Sequence, residues 1–116
     1  SAAPDVYKRQ PHLKGGQVLI DMSSIDPGVS REIGEKLAEK QVGMLDAPVS
    51  GGEPKAVDAT LSFMVGGQDA LFRQYAPLLK TMGRTVTYCG PLGAGNTVKL
   101  ANQMIVAANI AAAAEG

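Results

Sequence analysis

Gly90-Pro-Leu-Gly-Ala-Gly-Asn-Thr-Val-Lys99-Leu-Ala-Asn-Gln-Met104, with the apolar run that carries it to Gly116, decides how the rest of the chain reads. After the Gly/Pro-rich turn, positions 96–114 hold neither Gly nor Pro and are rich in Ala, Ile, Val, Leu and Met, which predicts one long helix. At about 100° per residue, Asn96, Lys99, Asn102, Gln103 and Asn109 fall on one side of it, and apolar residues cover the rest. The pattern predicts a helix buried nearly all round. A lysine on such a helix either snorkels along its own stem to solvent or is held by partners at a site, because an unpartnered buried ammonium is costly.

Working upstream, strands and helices alternate. Residues 85–89 and 61–65 read as strands, and a helix with Leu71, Phe72, Tyr75, Leu78 and Leu79 lies between them, with Asp69 able to cap it. A short helical segment is expected over 53–58, and strands over 43–47 and 17–22. Ser23-Ser24-Ile25-Asp26-Pro27 supplies capping side chains and a proline at a first helical position for a helix running to about Gln41. This alternation predicts an α/β fold with a largely parallel sheet. The composition breaks at 90–95, where a domain boundary is expected.

Composition removes several function classes. With 116 residues, 45% hydrophobic and 19% charged, the chain is globular and of single-domain size. Eleven basic residues balance eleven acidic ones, so the electrostatic footprint of a nucleic-acid or anionic-membrane binder is missing. The final apolar run is too short and too rich in Ala and Asn to span a bilayer. A lone cysteine, Cys89, forbids an internal disulfide and fits a reducing, cytoplasmic compartment, and the lone His12 has no metal-ligand spacing to another His or Cys. Residues 1–12 carry no periodicity and read as a non-native leader, and Glu115-Gly116 gives no helix stop; both ends predict a fragment.

Four stretches could carry chemistry. Gly93-Ala-Gly95 lies between a strand and a helix, but position 98 is Val where a dinucleotide fingerprint needs a third glycine, so these glycines are read as allowing close backbone approach and a sharp start to the helix. Pro48-Val-Ser50-Gly51-Gly52 ends a strand, where open α/β sheets bind ligands, and reads either as a small-anion nest or as a plain turn. Asp21-Met-Ser23-Ser24 offers hydroxyls at another strand end. Asp46 is a candidate acid, but no second carboxylate stands at a readable spacing from it.

Taken together, Asp21-Met-Ser-Ser-Ile-Asp-Pro27, Asp46-Ala-Pro-Val-Ser-Gly-Gly52 and Gly93-Ala-Gly-Asn-Thr-Val-Lys99-Leu-Ala-Asn-Gln103 resemble the β-hydroxyacid dehydrogenase family, in order and over about residues 13–116. The resemblance implies an oxidoreductase acting on a small hydroxy or oxo acid with NAD or NADP, and a homo-oligomer when full length. In fold, it implies the C-terminal part of a Rossmann-like dinucleotide-binding domain over 13–92, followed over 93–116 by the first long helix of an all-α domain. By the family pattern Lys99 is the catalytic lysine, Ser50, Gly51 and Gly52 hold the substrate carboxylate, and Ser24 contacts the cofactor. Asn102 and Gln103 match the polar pair after the lysine, although the commoner pattern has Asn four residues on, where this chain has Gln103. The first βαβ unit of such a domain is absent, so the fragment alone is expected to be inactive. A non-catalytic scaffold relative and a truncated product are the readings that stand beside it.

Overall fold

The computed structural model describes residues 15–51 and 61–115, with side chains to residue 105. The leader with His12, Gly52 and the helical segment expected over 53–58 lie outside the described residues. In chain order the elements are β1 (Val18–Asp21), α1 (Pro27–Ala38), β2 (Gly43–Asp46), β3 (Val49–Ser50), β4 (Ser62–Gly66), α2 (Asp69–Met82), β5 (Thr85–Gly90) and α3 (Ala94–Glu115).

Alternation along the strands divides the core between two faces. β1 runs parallel to β2, with Leu19 beside Met44 and Ile20 beside Leu45. Leu19 and Met44 pack with Ile33 and Leu37 of α1 on one face. Ile20 and Leu45 pack on the other with Phe63 and Val65 of β4 and Leu79 of α2. Burying a side chain of this size stabilises by about 1.5–3 kcal/mol, so each face fixes its helix. The start of α1 is as the sequence predicts: Asp26 accepts from the Gly28 N–H at 2.7 Å, and Pro27 takes the first helical position. The start of α2 differs. Gln68 occupies the cap position without a side-chain bond, and Asp69, in the first turn, instead pairs with Arg73 at 2.9 Å.

The sheet is mixed, not largely parallel. β2 and β3 form one ladder against β4, with Asp46 opposite Gly66, Val49 opposite Phe63 and Ser50 opposite Ser62, all antiparallel. Pro48 sits in the middle of that ladder; its carbonyl accepts from the Met64 N–H at 3.2 Å, but it has no N–H to give, so the strand is interrupted there. β5 then runs parallel to β4. Two parallel pairs are thus joined antiparallel, because the chain returns from Ser50 to Ser62 beside itself as a hairpin does. The same pairing makes Val49–Ser50 a strand where the sequence predicts a turn.

Met64 alternates with Phe63 and Val65 and so belongs to the face that carries α1; α3 begins over it. A Cβ on Gly95 would overlap the Met64 carbonyl oxygen, so only glycine lets the helix start this close to the sheet. The expectation of a helix buried all round does not hold. Gly95 and Asn96 are buried, but Leu100, Met104 and Ile105 are exposed, Met104 by 65%. Apolar composition states what a helix is able to bury, not what stands against it.

Candidate active site

Lys99 lies one turn into α3, and its side chain crosses to the ends of two strands. Its ammonium donates to the Ser24 hydroxyl at 2.5 Å and to the Val49 carbonyl at 2.6 Å. Ser24 follows β1, and Val49 opens β3, so the cation stands past the carboxyl end of β1 and beside β3. Lys99 is half-buried, and its side chain has two hydrogen-bond partners instead of running free to solvent.

The helix that carries it is held by a side chain from the sheet. Asp46 is fully buried, at 0% exposure. Its Oδ1 accepts from the Gly93 N–H at 2.7 Å, and its Oδ2 from the Asn96 N–H at 2.9 Å and the Asn96 amide at 3.3 Å. The two backbone N–H groups are orphan donors of a helix N-terminus, and a carboxylate there also meets the positive end of the helix dipole. Asp46 is therefore a cap supplied from a distant strand. Asn96 extends the link: its Oδ1 accepts from the Ile25 N–H at 3.0 Å, and its amide reaches the buried Ser30 hydroxyl at 3.5 Å. Sequence reading missed Asn96 as a hub, since its partners are remote and its helical position looks like one polar residue of a stripe.

The second carboxylate that spacing could not locate is Asp21. It is the register partner of Asp46 on β1, so the two side chains stand on the same face of neighbouring strands. Asp21 accepts from the Ser23 N–H at 3.0 Å and the Ser23 hydroxyl at 2.6 Å, both on Oδ1.

A cleft of about 330 Å³ opens beside the lysine, lined by Ser24, Ile25, Asp26, Asn96, Lys99 and Gln103 among others. Gln103 thus shares a cleft with Lys99, whereas Asn102, one position earlier on the helix, does not line it. Ser50 is exposed at the end of β3, next to the carbonyl that holds Lys99, and Gly51 follows with φ 131°, a conformation that favours glycine. Gly52, the third member of the expected anion nest, lies outside the described residues. A larger cavity of about 420 Å³ lies at the opposite end of β2, lined by Gly34, Gly43, Leu71, Tyr88 and Leu92 among others. It has no charged lining residue, so its size does not make it the reactive site. Cys89 stands apart on β5, and burial pushes its thiol above the ordinary value, with the Asp46 charge adding to the shift and a hydrogen bond from the Val65 backbone opposing it. Among the described residues no cluster of His, Cys, Asp or Glu could hold a metal, and no helix is long and apolar enough to cross a membrane.

A sheet with polar groups at its strand ends, followed by a helix that brings a lysine to them, is a Rossmann-like arrangement, and the comparisons with known proteins agree. Residues 2–90 match the family described as the NAD binding domain of 6-phosphogluconate dehydrogenase, and the chain belongs to that family, together with the β-hydroxyacid dehydrogenases. It is 46% identical over 100 residues to 2-hydroxy-3-oxopropionate reductase of Escherichia coli K12, covering 86% of this chain and 34% of that protein. Against mouse mitochondrial 3-hydroxyisobutyrate dehydrogenase it is 42% identical over 115 residues, covering 99% of this chain and 33% of that protein. The solved structure of Mycobacterium tuberculosis 3-hydroxyisobutyrate dehydrogenase with L-serine superposes with a TM-score of 0.91 at 34% identity, covering 97% of this chain and 40% of that one. The chain spans about a third of the length of these curated relatives.

A nicotinamide-type cofactor placed in this cleft would meet apolar walls for a flat ring in Ile25 and Leu100 and a hydroxyl in Ser24.

Proposed function

We propose that this chain is part of an NAD- or NADP-dependent oxidoreductase that reduces tartronate semialdehyde (2-hydroxy-3-oxopropanoate) to glycerate, with Lys99 as the proton donor. The observation that carries this reading is the position of the Lys99 ammonium, fixed by Ser24 and Val49 at the strand ends and open to a cleft. Both contacts take an N–H of the lysine, which fixes the amine where it can donate a proton to a developing alkoxide. The nicotinamide supplies the hydride when bound. Lys99 then gives its proton to the carbonyl oxygen, and Ser50, Gly51 and Gly52 hold the substrate carboxylate so that the carbonyl lies towards the lysine. Ser24 faces the cofactor, and Gln103, which shares the cleft, supplies the polar wall after the lysine, while Asn102 lies outside that cleft. In this reading residues 13–92 are the later part of the dinucleotide-binding domain, residues 93–116 open a helical domain, and the full-length protein is a homo-oligomer.

The identity to the E. coli reductase supports the unbranched substrate. The coverage by the mouse enzyme and the fit to the mycobacterial structure favour a second reading, 3-hydroxyisobutyrate dehydrogenase, with the same residues acting on a branched substrate. The deciding experiment uses the full-length protein of which this chain forms part and follows oxidation of NADH and NADPH with tartronate semialdehyde and with methylmalonate semialdehyde. Faster turnover of the unbranched substrate supports the first reading, preference for the branched one selects the second, and no turnover of either refutes both. The faster coenzyme identifies the cofactor.

A further inference from the structure

We propose that Asp21 is a positioning residue for the Lys99 end of the site, a role that rests on the reading of Lys99 given above. Asp21 ends β1 with only 5% exposure, and Ser24 comes three positions later. Between them the chain must turn from the strand so that the Ser24 hydroxyl meets the Lys99 ammonium at 2.5 Å. The turn is held by Asp21 Oδ1, which takes the Ser23 N–H at 3.0 Å and the Ser23 hydroxyl at 2.6 Å. A carboxylate acceptor makes both bonds stronger than neutral ones. Ser24 is thereby fixed by a buried group on a strand rather than by a free loop, and the lysine inherits that order.

The second carboxylate oxygen sharpens the inference. Asp21 Oδ2 is buried and makes no hydrogen bond. Beside it on the next strand stands Asp46, whose two oxygens are both engaged by the helix start. The positioning work of Asp21 is therefore done by one oxygen, and its charge brings a like charge close to Asp46. An asparagine with its carbonyl in the Oδ1 place keeps both bonds to Ser23 and removes that like charge. An alanine keeps neither bond.

The test compares Asp21→Asn, Asp21→Ala and Ser23→Ala in the full-length protein. It reads kcat and KM with a semialdehyde and reduced coenzyme. It also reads the pH-dependent rate at which acetic anhydride acylates Lys99, resolved by mass spectrometry against Lys80 as internal reference. Asp21→Ala is expected to lower kcat about tenfold or more, in line with the loss that misplacement of about 1 Å brings. It should also raise the acylation of Lys99 relative to Lys80 several-fold. Ser23→Ala, which deletes only the shorter bond and leaves the carboxylate in place, should move both readouts in the same direction by less, and it answers the question if the Asp21→Ala protein does not fold. Asp21→Asn should stay within about threefold of wild type in both. Asn as poor as Ala, or unchanged Lys99 acylation in Ser23→Ala, overturns the proposal. The acylation readout does not depend on turnover, so a failure of the catalytic reading, seen as full activity of Lys99→Ala, is distinguished from a failure of this one.

Discussion

Asn96 donates its backbone N–H to Asp46 Oδ2 at 2.9 Å across a separation of 50 residues. The helix that presents Lys99 is therefore started by a strand residue, and the helix start is joined directly to the sheet.

Removal of Asp46 is the first consequence to test. Asp46→Ala leaves the Gly93 N–H, the Asn96 N–H and the Asn96 amide without their acceptor in a buried place. At about 1–3 kcal/mol for each unsatisfied group, the loss should be about 3 kcal/mol or more. Asp46→Asn should also destabilise, since one side of its amide turns an N–H against a backbone N–H. Urea unfolding of the variants checks both; a midpoint unchanged by Asp46→Ala would remove the capping role.

Lys99 predicts a different pattern. Its side chain is half-buried and contributes no core packing, so Lys99→Ala should change stability by about 1 kcal/mol or less. In the full-length protein the same change should lower kcat roughly 10²- to 10⁴-fold, the span expected for loss of a positioned proton donor. Steady-state kinetics beside thermal unfolding separate the two effects, and a kcat near wild type would end the proton-donor role.

Gly95 should tolerate no side chain. A Cβ there would overlap the Met64 carbonyl and crowd the Asp46 carbonyl, both main-chain atoms. Gly95→Ala should therefore lose about 1–3 kcal/mol, against the small gain that Gly→Ala brings in an unhindered helix. A Gly95→Ala protein that melts at or above the wild-type temperature would contradict the close approach of helix and sheet.

Cys89 makes a pH prediction. Burial raises its thiol above the ordinary value, so the folded protein keeps the proton at pH values where the unfolded chain gives it up. The resulting stability term is absent below the unfolded value. It turns unfavourable as pH rises from there through the folded value, because the unfolded state is then favoured by its easier ionisation. Iodoacetamide labelling against pH should give a midpoint above that of the same thiol in urea, and a midpoint at or below it would contradict the assignment.

Local chemistry made much of the fold legible. Asp26-Pro27 marks the start of α1 in both sequence and structure, because cap and proline act on their immediate neighbours. Gly95 could be read as a close approach because a glycine at a strand–helix junction has few other uses. The antiparallel turn of the sheet was not legible, since the strand spacing gives no sign of which edge β4 joins. Nor was the Asp21–Asp46 pairing, which depends on parallel register between residues 25 positions apart. At the site, Lys99 and Ser24 carry side-chain signals. One of the lysine's two acceptors, however, is the Val49 carbonyl, and a main-chain atom leaves no mark on a sequence.

The ladder of β3 against β4 has one more consequence. Val49 and Ser50 leave the sheet, and Ser62 and Phe63 rejoin it, at fixed partners. The connection between Ser50 and Ser62 is therefore pinned at both feet, and lengthening it adds only a small closure entropy. Lys99 is tethered to Val49, which is itself paired with Phe63, so the place of the cation is set by the ladder and not by the connection that follows it. The ladder thus separates where the cation stands from how the chain travels between Ser50 and Ser62.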